Sequence, residues 1–148
     1  MSETTAPIPP IQLTQDEKAY AGLAHALMIS TWWIGPLVIY LIKKDSRFVA
    51  FHAMQALLWQ IIFTILYFLG FAAWFALIIS TVALHPQNAP NQSFPIAVFI
   101  AMPFFWLLIM GCYAISLTLG IMYCLKAMRG EWAGYPVIGR WARKIVGI

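Results

Sequence analysis

The sequence predicts an all-α integral membrane protein: three transmembrane helices followed by a short C-terminal amphipathic helix in the membrane interface. Three observations carry this. Of the 148 residues, 62% are hydrophobic and 9% are charged, whereas a soluble domain carries about a quarter charged residues. No Asp, Glu, Lys or Arg occurs from Ala19 to Ile42 or from Phe48 to Leu125, and a spanning helix needs about 20 apolar residues. The basic residues flank these runs: Lys43, Lys44 and Arg47 between them, and Lys126, Arg129, Arg140, Arg143 and Lys144 after the second. The expected organisation is a flexible N-terminal tail, 1–13, and a single membrane domain, 14–148.

The tail "MSETTAPIPPIQLTQDEK" has an early acid and three prolines and lacks a basic n-region, so the first apolar run is expected to persist rather than act as a signal peptide. Thr14 and Glu17 form a T-x-x-E capping box ahead of the first span, placed near 19–42. Gly35-Pro36 should kink that span, because proline removes a backbone donor. Asp45 or Ser46 can cap the next helix, near 50–80. The neutral stretch "HPQNAPNQSFP", 85–95, interrupts the long uncharged run, and the third span is placed near 98–125. With both basic clusters assigned to the cytoplasm, three crossings put the N-terminus outside and the C-terminus inside, in a bacterial inner membrane.

Burial against lipid tails does not by itself join spans, so small residues at helical spacing mark their contacts. Cys112, Ser116, Gly120 and Cys124 form one such stripe on the third span. Gly22, Ala26 and Ser30, and Ala72, Ala76 and Ser80, form others. After the third span comes a tail, 129–148. There Gly134 and Pro136 stop a continuous helix, and Ile138, Trp141, Ile145 and Ile148 then recur at helical spacing with Arg140, Arg143 and Lys144 off the stripe. This reads as an interfacial helix, anchored by Trp132, Tyr135, Pro136, Arg140 and Trp141.

Catalytic chemistry finds little support. No span contains a carboxylate, and neither H-E-x-x-H nor G-x-S-x-G occurs, so the chain is expected to be neither an enzyme nor a cofactor binder. Cys112 and Cys124 are about 18 Å apart along one helix, too far for a disulfide, and their spacing is no metal motif. The basic balance, pI ≈ 9.3, flanks membrane spans and does not point to nucleic acid. The partners expected are the bilayer, further copies of the chain or other membrane proteins.

Three polar residues stand out within the spans. His25 reads as a neutral imidazole bonded to a backbone carbonyl or a hydroxyl, and its depth opposite to that of His52 argues against direct pairing or a shared metal. His52 and Gln55 share a helix face with Ala56 and Trp59. They either clamp helices together with Tyr40 and Tyr123 or line a cavity open to the cytoplasm.

The stretch "YLIKKDSRFVAFHAMQALLWQ" resembles the signature of a bacterial family similar to the twenty-kilodalton subunit of the translocon at the chloroplast inner envelope. Arg47, Phe48, His52, Gln55 and Ala56 carry the resemblance, together with the closing "GEWAGYPVIGRWA". It implies an all-helical membrane fold and a translocon-like scaffold or binding component linked to protein transport or insertion. The alternative is an oligomeric channel or transporter subunit for ions or small solutes.

Overall fold

A computed structural model describes residues 12–84 and 96–148. It contains five helices: α1 (Gln15–Ser30), α2 (Ile34–Ile42), α3 (Arg47–Leu84), α4 (Ile96–Met128) and α5 (Ile138–Val146). The stretch 85–95, expected as an outer loop, and most of the tail 1–13 lie outside the described residues.

Among the described residues, two helices are long and apolar enough to cross a membrane, α3 and α4. At about 1.5 Å per residue they reach about 57 and 50 Å, beyond a hydrocarbon core of about 30 Å. They pack antiparallel: the Trp59 indole donates to Ser116 Oγ at 2.9 Å at one level, and Trp74 stacks on Phe105 at 5.1 Å further along.

The expected first span is not one helix. The run Ala19–Ile42 breaks at Thr31–Trp33 and doubles back as a hairpin. Lys43 Nζ lies 4.5 Å from the Tyr20 ring centroid, and Ala24 packs with Ile39 in one apolar cluster, the pairing of antiparallel neighbours. The break precedes the Gly35-Pro36 pair. Trp32 takes φ 59, a left-handed conformation that few bulky residues adopt, and its indole N–H donates to Thr64 Oγ1 at 2.7 Å. Pro36 then falls in the first turn of α2, where its missing N–H interrupts no helical bond. So the proline starts a helix instead of kinking one.

The hairpin returns the chain to the end from which it came. Glu17 closes the capping box with Thr14 and accepts from Ser46 Oγ at 2.7 Å, joining the first turn of α1 to the start of α3. The backbone hydrogen bond at Thr14, then that from Ser46, hold the Glu17 carboxyl below its ordinary range. A Cβ on Gly130, just past α4, would meet Lys18 Cε at 3.1 Å. The start of α1 therefore lies with the start of α3 and the end of α4, not at the opposite end as three crossings required. Every charged side chain from Asp16 onward belongs to this basic end.

After α4 the chain turns at Gly130, with φ 82, and folds back over the opening turns of α3. α5 then docks on α3 through Ala142, which packs with Phe51, Met54 and Leu57. The expected apolar stripe is not the docking face. Ile138 and Ala142 are buried, whereas Trp141, Ile145 and Ile148 are exposed beside it.

Candidate functional site

The first ten residues of α3 after Arg47, Phe48 to Leu57, are all buried, and two of them are polar. His52 and Gln55, one turn apart, face the returning tail 131–135. Gln55 donates from Nε2 to the Ala133 carbonyl at 3.2 Å and accepts from the Tyr135 backbone N–H at 2.6 Å. The amide thus pairs a non-helical strand of backbone as a neighbouring strand would. Burial without those bonds would leave costly unpaired groups on both sides.

His52 Nε2 lies 3.0 Å from the Glu131 carbonyl, His52 Nδ1 lies 3.0 Å from His25 Nε2, and His25 Nδ1 lies 2.9 Å from the Tyr135 hydroxyl. A carbonyl only accepts, so His52 carries hydrogen on Nε2. With both rings neutral, His52 accepts on Nδ1 from His25 Nε2–H, and His25 Nδ1 accepts from the Tyr135 hydroxyl. The Met28 thioether, 3.6 Å from the same hydroxyl, offers it a second acceptor. Burial, with Tyr123 and Cys124 adding to it, holds the Tyr135 hydroxyl well above the phenol range, so it keeps the proton it donates.

Around this core, the Tyr123 hydroxyl donates to the Gly134 carbonyl at 3.0 Å and Gln60 Nε2 donates to the Met28 carbonyl at 2.6 Å. Among the described residues, no fully enclosed side-chain nitrogen or oxygen lacks a partner. Both ring nitrogens of each buried histidine are occupied. Among the described residues, no three His, Cys, Asp or Glu side chains gather as metal ligands would.

The structure joins some of the sequence candidates and separates others. His25 and His52 are directly bonded, contrary to the expectation from opposite depths, because the hairpin brings α1 parallel to α3 at the same end. Phe48 lies against His52 and Trp132, at ring distances of 4.7 and 5.1 Å. Ala56 is buried, while Arg47 is exposed at the start of α3. Tyr40 is absent from the polar network and packs in the apolar clusters instead. Tyr135 is no surface anchor: it is 3% exposed and forms the hub of the network. Trp132, Pro136, Arg140 and Trp141 remain exposed.

The small-residue stripe of α4 faces the hairpin and α3. A Cβ on Gly120 would come within 3.0 Å of Ile29 Cδ1, Ser116 bonds Trp59, and Cys112 and Cys124 are half-buried. Ala72, Ala76 and Ser80 face outward instead, as do Ala26 and Ser30. The sequence reading missed the tail backbone as the partner of His52 and Gln55. Its signal was present: "GEWAGYP" cannot be helical throughout, so its carbonyls need donors, and buried amides and imidazoles supply them.

Fold and site together define a class. This is an all-helical membrane-type protein in which a half-length hairpin and a returning tail are locked onto two long helices by a buried histidine–glutamine–tyrosine network. The chain belongs to the MamF/MmsF magnetosome magnetite crystal formation protein family, whose profile matches residues 16–142. No curated protein and no solved structure matches it. The family match corrects the resemblance to the chloroplast translocon subunit. Both stretches that carried it, 40–60 and 130–142, lie within the matched residues, and the link to protein translocation falls with it.

Proposed function

We propose that the protein acts in magnetite crystal formation as a non-enzymatic scaffold of the magnetosome membrane. The single observation that carries this reading is the family match over 16–142, which takes in the hairpin, both long helices, the polar network and the start of α5. Two features support a scaffold over a direct iron ligand. The buried histidines spend both ring nitrogens on the network, and among the described residues Asp16, Glu17, Asp45 and Glu131 do not gather into the carboxylate cluster that hard iron ions favour.

In the same reading, α3 and α4 cross the membrane and the hairpin enters only partway. The basic end faces the cytoplasm by the charge rule, with the start of α1 and the C-terminus on one side. Trp141 and Ile145 meet the lipid interface while Arg140 and Lys144 meet anionic headgroups.

The experiment is complementation in a magnetite-forming bacterium that lacks this chain. The wild-type chain is expected to restore crystal size and number, and Gln55→Leu, which unlocks the tail, to fail. Crystals that are the same with and without the chain would refute the role. Orientation is checked in intact cells, with Cys112 and Cys124 replaced by alanine. A single cysteine at Leu13 should react with an impermeant maleimide only after lysis, and labelling of intact cells would refute the two-crossing orientation.

A further inference from the structure

Where the hairpin stops, a cleft of about 250 Å³ opens between the tip of α1, α3 and α4. Its walls include Met28, Phe63, Tyr67 and Met110. The fold explains its position. The break at Thr31–Trp33 ends α1 at this level. Further along, α3 and α4 close on each other through Phe71, Trp74 and Phe105. Below it lies the polar network.

Two buried polar side chains line the cleft with valences unspent. Gln60 is 6% exposed. Its amide nitrogen faces the Met28 carbonyl, so Oε1 must point the other way, and no described residue donates to it. Among the described residues every fully enclosed side-chain oxygen is paired, so this unpaired one is reached from the cleft that Gln60 lines. Ser116 is also 6% exposed. Its oxygen accepts from Trp59, and no described residue accepts its hydrogen. A buried amide oxygen and a buried hydroxyl hydrogen left open on one apolar cavity are costly in hydrocarbon. The same pattern, apolar walls with a few converging polar groups, is that of a small-molecule site.

We propose that this cleft binds a membrane-dissolved alcohol or phenol, a molecule with an apolar body and one hydroxyl group. A hydroxyl can both donate, to Gln60 Oε1, and accept, from Ser116, through one atom. Met28, Phe63 and Met110 take the apolar body, and thioether and aromatic walls adapt to varied shapes. The proposal rests on α3 and α4 being membrane spans, so that the cleft opens to lipid rather than water.

The test uses the full chain in lipid nanodiscs and a hexadecanol carrying a mid-chain diazirine. Photolabelling should concentrate on peptides holding residues 28–32, 60–67 and 109–117, and should be competed by unlabelled hexadecanol but not by hexadecane. Ser116→Ala should weaken competition about tenfold, the order of one hydrogen bond. Met110→Trp, which fills the cleft from a half-exposed position, should abolish the competed labelling while leaving thermal stability intact. Should Met110→Trp fail to fold, Ser116→Ala decides. Equal competition by hexadecane, or labelling spread along the lipid-facing surface of α3 and α4, would overturn the proposal. A chain that washes from membranes with carbonate would instead refute the membrane reading beneath it.

Discussion

The two ends of α3 are built by different rules. From Phe48 to Leu57 every residue is buried, wrapped by α1, α2, the returning tail and α5. From Ile61 to Leu84 none is buried, and the neighbours are Trp32 at the hairpin tip, which reaches Thr64, and α4, through aromatic contacts. Yet the buried end carries His52 and Gln55, while the exposed end is almost wholly apolar. In water this would be inverted; in hydrocarbon it is the stable arrangement, because polar groups need partners and apolar ones need none. The basic end should therefore respond to substitution like a soluble core, and the far end like a lipid-facing surface.

The sharpest way to break this contrast is Gln55→Leu, which strands the Tyr135 N–H and the Ala133 carbonyl at once. We expect a loss of about 2–5 kcal/mol, read as a lower unfolding midpoint in detergent and rapid proteolysis after Arg129. Ala76→Leu at the far end should change stability by less than about 0.5 kcal/mol; equal losses would erase the distinction.

Gly139→Val comes next. A Cβ there would sit 2.8 Å from Gly134 Cα, so the tail must lift from its seat. The expected cost is about 1–3 kcal/mol, seen as faster amide exchange over 131–142 with α4 unchanged. Tyr135→Phe removes one donor and leaves His25 Nδ1 unsatisfied, for about 1–3 kcal/mol. A neutral outcome in thermal unfolding would show that the hydroxyl does not complete the network.

Val137→Gly should act in the opposite direction. Val137 holds φ 66 ahead of α5, a conformation strained for a β-branched side chain, and it is exposed. Glycine should raise the midpoint by up to about 1 kcal/mol; a loss would mean that the valine side chain has a packing role.

The smallest effect concerns Glu17. Its folded carboxyl lies below the usual value of about 4.5, so the stability it contributes is present above that pH and is lost as pH falls through the folded value. Glu17→Gln should flatten this acid limb in a pH series of unfolding midpoints, and an unchanged limb would assign acid sensitivity elsewhere.

The sequence by itself determined the helical class, the two long apolar helices, the capping box at Thr14, and the singling out of His52 and Gln55. Each of these depends on local composition or on spacing along one helix. Tertiary structure decided the rest. Whether Ala19–Ile42 crosses or returns turns on a backbone break at Trp32, stabilised by Thr64 from thirty-two residues away. Whether two histidines meet depends on that break, and Tyr135 moves from expected surface anchor to buried hub because a glycine-rich tail folds back over α3. Apolar runs report how much a segment avoids water. They do not report which of its ends come together, since that is set by the partners its buried polar groups require.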